Sequence, residues 1–341
     1  MVFSHDFRSG LSDHCGVKDF CGCNLLTRLN TNQAPFAANE SAFSKYFVEA
    51  CIVISGAHFT SKTREVALFY ARLRKFGQIK MSDRIIAIIP ARLGSSRFPR
   101  KPLARLLNRP MIEHVYCRTS MCVELAEVWV ATCDEEIKKV VEEFGGRVIM
   151  TSPMHERASD RVAEAAQQIQ ADIVVMVQGD EPMITPGMIS AAVAPMLDDR
   201  SIECVNLARR ITSREEYLDP NTIKVVMNSA NDALYFSRAP IPALNIAHLD
   251  RVSVFKQVCV ISFRRDFLLE FTRLAQTPLE RIESIDMLRA LEHGHGVRLV
   301  QTEVETHAVD TLADLLLVEA LMQGDPLVQT YGQHVARPEA G

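Results

Sequence analysis

The sequence predicts an α/β fold: a mostly parallel, Rossmann-like sheet in a single domain, preceded by an irregular N-terminal extension. Two runs of branched apolar residues, 85–89 and 173–177, have the length and composition of strands buried on both faces. Between these two runs, amphipathic segments with helical spacing alternate with other short apolar runs. This alternation is typical of one parallel sheet covered by helices.

Each element has a local signal. The first strand is expected to end at Pro90, because proline cannot donate a hydrogen bond to a neighbouring strand. Pro110 suits the first turn of a helix, and Asp134 and Ser159 are predicted to cap two further helices. Gly145 is predicted to end the helix that Asp134 begins. The predicted strands are 85–89, 127–131, 148–151 and 173–177, and the predicted helices are 111–122, 135–144 and 159–169.

The first 80 residues show no alternation of strand and helix patterns, and Met81 stands directly before the first strand. The sequence therefore predicts three parts: an extension at 1–80, a functional domain at 81–330 and a tail at 331–341. Two interpretations of the extension stay open. It is either accessory sequence, including upstream sequence read in frame, or a small regulatory or docking segment.

Composition excludes several classes of protein. The chain has 341 residues, 48% of them hydrophobic, and a net charge of −4, which argues against non-specific nucleic-acid binding. No apolar run has the length of a membrane-spanning helix and no export signal is apparent, so a cytoplasmic protein is expected. The nine cysteines lack CxxC spacing, which predicts reduced thiols rather than disulfides or a zinc site.

The loop after the first strand carries positive charge. It contains two serines, a glycine and four cations, namely Arg92, Arg97, Arg100 and Lys101. It lies at the carboxyl end of a strand, where open α/β sheets bind ligands. Neither GxxxxGK[ST] nor GxGxxG is present. The loop is either a solvated basic turn or a polyphosphate-binding loop, and the order of its residues favours the second interpretation.

Carboxylates are expected beside this loop. The buried strand 173–177 runs into Gln178-Gly179-Asp180-Glu181-Pro182, which places Asp180 where Mg²⁺ could be held against nucleotide phosphates. The alternative is a simple Gly-Asp turn. Asp310 offers a second carboxylate, because Thr311 and Asp314 already form a capping box for the helix that follows.

These motifs resemble those of the cytidylyltransferases that activate 3-deoxy-manno-octulosonate (Kdo) as its CMP derivative. The loop matches the family's PAR-x-x-S-x-R-x-P-x-K-P-L signature, except that Arg100 stands where the family usually has glycine. The resemblance extends from Ile85 to about Leu317. Its other segments are QGDEP at 178–182, NTIKVV at 221–226, YFSRAPIP at 235–242 and AVDT at 308–311.

The resemblance implies a nucleotidyltransferase domain that transfers CMP from CTP to the anomeric hydroxyl of a sugar acid and releases pyrophosphate. It also implies a Mg²⁺ cofactor, a homodimer and a place in lipopolysaccharide synthesis. The implied catalytic residues are Asp180, Lys101 and Arg92, and the implied metal ligands are Asp180 and Asp310. The implied nucleotide-binding residues are Ala91, Arg92, Ser95, Lys101, Ser159, Arg161 and Gln178. The implied sugar-binding residues are Arg238, Lys256, Gln257, Glu283 and Asp286.

Three segments depart from the family pattern: 155–161, 255–261 and 279–289. Gln257 replaces a family histidine, and Met287 replaces a glutamine whose amide a thioether cannot imitate. Two alternatives therefore stay open. The acceptor is a different acid, such as an 8-amino Kdo, a nonulosonate or a phosphonate, or the chain is a non-catalytic nucleotide-binding relative.

Overall fold

The computed structural model describes residues 83–95, 97–244 and 252–334, all within one compact unit, Met81–Gly341. The predicted extension lies outside the described residues, so its boundary stays a prediction. Nine strands of the described chain form one sheet, in the order β11-β7-β10-β6-β1-β4-β5, with β8 and β9 attached beside β10.

The strands are β1 Ile85–Ala91, β2 Arg105–Leu106, β3 Arg109–Pro110, β4 Leu125–Thr132, β5 Val148–Met150, β6 Ile173–Val177, β7 Cys204–Arg210, β8 Lys224–Met227, β9 Ala233–Ser237, β10 Phe255–Arg264 and β11 Arg298–Gln301. The helices are α1 Met111–Ser120, α2 Glu135–Glu143, α3 Ala158–Gln167, α4 Pro186–Asp198, α5 Arg214–Leu218, α6 Arg265–Phe271, α7 Pro278–Glu283, α8 Met287–Glu292, α9 Leu312–Met322 and α10 Pro326–His334. A short 3-10 helix covers Lys101–Leu103.

The predicted buried strands are confirmed. Every residue of β1 and β6 is buried, and the two strands pair in parallel. Alternate side chains of both strands enter two different apolar clusters, so helices cover both faces of the sheet. The predicted end at Pro90 is wrong. β1 continues to Ala91, because Pro90 pairs with β4 while the pairing with β6 stops at Ile88.

The sheet is mixed rather than uniform. β4, β1, β6 and β5 are joined by parallel pairings, whereas β10 runs antiparallel to β6, β7 and β8. Among the described residues, no helix is long and apolar enough to cross a membrane. The parallel part confirms the predicted mostly parallel sheet, and β10 adds an antiparallel part beside it.

Some predicted helix ends are wrong. Asp134 does not cap α2 with its side chain; its Oδ2 accepts a hydrogen bond from the Leu93 amide at 2.8 Å instead. α3 begins at Ala158, so Ser159 lies inside the helix. The Thr311–Asp314 capping box of α9 is confirmed. α10 runs four residues into the predicted tail, where buried Tyr331 contacts His114 at 2.6 Å.

Candidate active site

The carboxyl ends of β1 and β6 build the centre of the site. The two strands are parallel neighbours, so the loops that follow them lie side by side. Gly179 permits this approach, since a Cβ there would lie 2.9 Å from the Pro90 carbonyl oxygen. A cavity of about 560 Å³ opens between the loops. Its lining includes Ala91, Arg92, Ser95, Lys101, Gln178 and Asp180.

Lys101 joins the two predicted metal ligands. Its Nζ donates hydrogen bonds to Asp180 Oδ2 at 2.6 Å and to Asp310 Oδ1 at 3.0 Å. Burial lowers the pKa of Lys101, but the charges and hydrogen bonds of the two carboxylates outweigh burial and raise the pKa above its usual value. Lys101 is therefore a charged ammonium between two carboxylates.

Two hydrogen bonds from backbone amides hold Asp310 beside Asp180, although the two residues are distant in sequence. The Val309 amide donates to the Asp180 carbonyl oxygen at 2.9 Å. The Asp310 amide donates to Asp314 Oδ2 at 3.0 Å, so the capping box that begins α9 also orients Asp310. Arg97 completes the cluster through an ion pair of 2.9 Å between its Nη2 and Asp310 Oδ2.

The donor set fits a divalent cation. Asp180 and Asp310 each place a carboxylate oxygen within 3.0 Å of one ammonium nitrogen, so one small cation could contact both. Carboxylate oxygens are ligands that Mg²⁺ prefers, usually together with water and substrate phosphates. The described residues contain no cluster of three or more acidic, histidine or cysteine side chains. Phosphate and water would therefore have to supply the remaining ligands.

The loop after β1 is held by its own backbone. The amides of Ser95 and Arg100 both donate to the Leu93 carbonyl oxygen, at 3.0 and 3.1 Å, and Ser95 Oγ accepts from the Phe98 amide at 3.3 Å. Arg100 adopts a left-handed conformation with φ 60°, the region that favours glycine. Arg100 thus adopts a glycine-like backbone conformation at the position where the family pattern has glycine, and its guanidinium pairs with Glu136.

Residues 155–158 and Arg161 also line this cavity, whereas Ser159, which was predicted to bind the nucleotide, is fully buried and is not part of the lining. Arg161 is buried and donates from Nη1 to Thr151 Oγ1 at 2.5 Å. Ser159 Oγ donates to Asp286 Oδ2 at 2.8 Å, and Arg157 Nε lies 3.5 Å from Asp286 Oδ1. Burial raises the pKa of Asp286. The structure therefore joins Asp286, predicted to bind sugar, to the nucleotide side of the site.

A second cavity of about 800 Å³ lies beside the antiparallel strands. It shares Arg97 and Asp310 with the first cavity. Lys256 and Gln257, which the sequence predicted to bind the sugar, both line it. Lys256 forms an ion pair with Glu216, and Gln257 Nε2 donates to Asn206 Oδ1 at 2.6 Å. After the residues predicted to bind each substrate, we call this the acceptor cavity and the first the nucleotide cavity.

The structure does not bring Arg238 and Glu283 to either lining, within the part of the chain that it describes. The Arg238 guanidinium donates to the carbonyl oxygens of Glu283, Pro220 and Ser284 at 2.7, 3.1 and 3.4 Å. The Glu283 carboxylate accepts from Ser237 Oγ and the Arg238 amide at 2.7 and 2.8 Å. Both side chains thus hold the end of β9 against α7.

Arg209 and Glu181 are among the lining residues of the acceptor cavity that the sequence predictions missed. Arg209 lies at the end of β7 and has no motif around it, so only the pairing of β7 with β10 reveals it. Glu181 was visible within QGDEP. It is buried, its Oε2 has no hydrogen-bond partner among the described residues, and burial together with the Asp180 charge raises its pKa to about 7.

The chain is similar in sequence to known cytidylyltransferases. The model of the family described as "Cytidylyltransferase" matches residues 86–302. The 3-deoxy-manno-octulosonate cytidylyltransferase of Geobacter metallireducens is 48% identical over 241 residues, which are 68% of this chain and 95% of the relative. The corresponding enzyme of Solibacter usitatus is 43% identical over 247 residues, 72% of this chain and 98% of the relative.

Two solved structures are similar to this chain. A structure of CMP:2-keto-3-deoxy-manno-octonic acid synthetase complexed with CTP is 40% identical with a TM-score of 0.67, covering 71% of this chain and 99% of that one. A 4-diphosphocytidyl-2C-methyl-D-erythritol synthase from Anaerococcus prevotii, 15% identical with a TM-score of 0.51, shares the fold. The chain belongs to the cytidylyltransferase family and, within it, to the 3-deoxy-manno-octulosonate cytidylyltransferases.

Proposed function

We propose that the chain transfers CMP from CTP to the anomeric hydroxyl of Kdo and releases pyrophosphate. The observation that carries this proposal is the cluster of Lys101, Asp180 and Asp310, which lies where the nucleotide and acceptor cavities meet. A reaction between an anionic nucleotide and an anionic sugar needs a cation at such a junction. The names of the similar proteins supply the identity of the two substrates.

The reaction needs no covalent intermediate with the enzyme. The anomeric oxygen attacks the α-phosphorus in line, and the bond between that phosphorus and the oxygen that bridges the α- and β-phosphates breaks. The hydroxyl proton passes to water. Catalysis of this kind consists mainly of positioning and charge neutralisation. Arg92, Ser95 and Lys101 would hold the triphosphate at the carboxyl end of β1. Ala91, Gln178 and Arg161 line the same cavity and would shape the nucleotide site.

Asp180 and Asp310 would hold Mg²⁺, which when bound neutralises phosphate charge and orients the reacting groups. With that cation bound to the carboxylates, the Lys101 ammonium would be free to contact the phosphates. Lys256 and Gln257 would contact the acceptor, since both line the acceptor cavity. From the family resemblance we also infer a cytoplasmic homodimer that contributes to lipopolysaccharide synthesis, for which size-exclusion chromatography with light scattering tests the dimer.

Pyrophosphate release from CTP tests this function directly. The purified chain is incubated with CTP and Mg²⁺ and with each member of a panel of 2-keto sugar acids. We expect release with Kdo, and none when either Kdo or the divalent cation is omitted. Release with another acid but not with Kdo would contradict the proposed acceptor. Absence of release with every acid would contradict the proposed reaction.

One observation favours a second candidate, a cytidylyltransferase for a different sugar acid. Gln257 lies in the acceptor cavity at the position where the family pattern has histidine, so it would offer different hydrogen bonds to the sugar. Met287 gives no support to this candidate. It is 1% exposed and packs in an apolar cluster, with its Sδ 4.0 Å from Cys204 Sγ. The same panel of acids distinguishes the two candidates.

A further inference from the structure

Two cations lie directly opposite each other on neighbouring strands of the acceptor cavity. In the antiparallel pairing of β7 with β10, Arg209 is the partner of Lys256. Directly opposite residues point to the same face of a sheet, with Cβ atoms about 4.5–5.5 Å apart. Both side chains line the acceptor cavity, and each is about one-sixth exposed, 15% for Arg209 and 16% for Lys256.

Like charges in opposite positions destabilise a sheet. A third cation, Lys224 of β8, pairs with Lys256 across the other edge of β10, but its surroundings differ from those of Arg209. Lys224 is fully buried, and its ammonium donates to three backbone carbonyl oxygens at 2.6–2.7 Å. Lys224 is therefore occupied within the fold, whereas Arg209 and Lys256 face a cavity. Each of these two cations has an acidic partner, and a bound anion could take the place of the weaker partner.

The present partners of the two cations differ in strength. Lys256 forms a close ion pair with Glu216, and both side chains are mostly buried. Arg209 Nη2 lies 3.5 Å from Glu305 Oε1, and the Glu305 side chain is 61% exposed. A loose pair with an exposed partner contributes little free energy. Arg209 can therefore exchange Glu305 for a ligand at small cost.

We propose that Arg209, with Lys256 beside it, binds the carboxylate of the sugar-acid acceptor and so determines that the acceptor is an acid. The proposal rests on the proposed function. A planar guanidinium binds a carboxylate through two parallel hydrogen bonds, which an ammonium cannot do. Arg209 thus takes the role that the sequence predicted for Arg238, whose guanidinium is held by three carbonyl groups.

The test compares the variants Arg209→Gln and Arg209→Lys with the unmodified chain, using Kdo and its carboxamide as acceptors. For Kdo, Arg209→Gln is expected to raise KM on the order of 10- to 100-fold, the usual range for a lost charge-assisted hydrogen bond. Arg209→Lys is expected to be intermediate, because it keeps the charge and loses the planar geometry. KM for CTP should stay unchanged in both, which also shows that the variants fold.

The carboxamide identifies the contact. If Arg209 binds the carboxylate, the unmodified chain and Arg209→Gln should use the carboxamide equally poorly. Arg210→Gln is the matched control, since Arg210 is the next residue and points to the other face of the sheet. An unchanged KM for Kdo in Arg209→Gln, or an equal loss with Kdo and the carboxamide, would overturn the assignment alone. No turnover of any sugar acid by the unmodified chain would overturn the proposed function itself.

Discussion

The nucleotide cavity and the acceptor cavity are built in different ways. The nucleotide cavity takes its groups from loops that directly follow the parallel strands β1 and β6. The acceptor cavity takes its groups mainly from side chains opposite one another on the antiparallel strands β7 and β10. A loop after a buried strand is visible in a sequence, whereas a cross-strand pair requires the register. The first cavity could therefore be predicted and the second only in part.

The two cavities also differ in how their charges are balanced. In the nucleotide cavity, Lys101 pairs with both Asp180 and Asp310, Arg97 pairs with Asp310, and Arg92 lines the same cavity. In the acceptor cavity, Arg209 and Lys256 each face an acidic side chain of their own. The first arrangement suits a polyphosphate with a divalent cation, and in the second only the loosely paired Arg209 is available for a ligand with a single negative group.

The largest effect should come from breaking the cluster between the cavities. Asp180→Asn keeps the size of the side chain and removes the charge that would bind Mg²⁺, so kcat should fall about 100-fold or more. Asp310→Asn should act in the same direction. Steady-state rates measured across a Mg²⁺ titration check this. Asp266→Asn serves as control, because its side chain is 99% exposed, and near-normal rates in both site variants would contradict the two-carboxylate site.

A smaller effect is expected from Asp286→Asn, and the KM value that it changes should show which cavity Asp286 serves. Asp286→Asn weakens the contacts to Ser159 and Arg157, which hold the segment 155–161 in the nucleotide cavity. KM for CTP should rise roughly ten-fold, as expected for one charge-assisted hydrogen bond, while KM for the acceptor stays the same. Initial rates at varied CTP and varied acceptor separate the two constants. A rise confined to the acceptor would return Asp286 to the sugar side.

Gln257 should affect the other cavity alone. Gln257→His is expected to raise kcat/KM for Kdo about five-fold, the value of one modest hydrogen bond, and to leave KM for CTP unchanged. Met287→Gln, by contrast, places an amide in an apolar cluster and should lower the melting temperature without changing KM for Kdo. If Met287→Gln improved the use of Kdo, Met287 would have to contact the acceptor.

Arg100→Gly should have a small effect on stability. Glycine relieves the left-handed conformation of Arg100, which costs an ordinary residue about 1–2 kcal/mol, and loses only an exposed ion pair with Glu136. After the greater flexibility of unfolded glycine is subtracted, a stabilisation of about 0.5 kcal/mol is expected. Urea unfolding with an unchanged m-value checks this. A loss of stability would show that the ion pair outweighs the backbone cost.

The smallest effect is expected from removing residues 1–80. A chain that begins at Met81 keeps every described residue of the two cavities. Its melting temperature and kcat should therefore equal those of the full chain. Differential scanning calorimetry and the pyrophosphate assay provide the comparison, and a clear loss of either property would make the extension part of the enzyme.

The sequence by itself determined the elements that depend on local patterns. Apolar runs predicted β1 and β6, because a strand buried on both faces needs apolar residues at every position. The capping box of α9 and the closeness of Lys101 to Asp180 followed from the same local signals. Helix ends were less certain, since a side chain such as Asp134 can bind a distant amide instead of its own helix.

Only the tertiary structure decided the partners of the remaining polar side chains. Arg238 binds carbonyl groups near α7, Asp286 joins the nucleotide side, and Arg209 meets Lys256 across two strands. These contacts link residues 45 to 127 positions apart in the chain. Each contact depends on the register of the antiparallel strands or on the packing of helices. Residue spacing within one segment encodes neither the register nor the packing. The loops of the nucleotide cavity were therefore readable from the sequence, and the acceptor cavity was readable only in part.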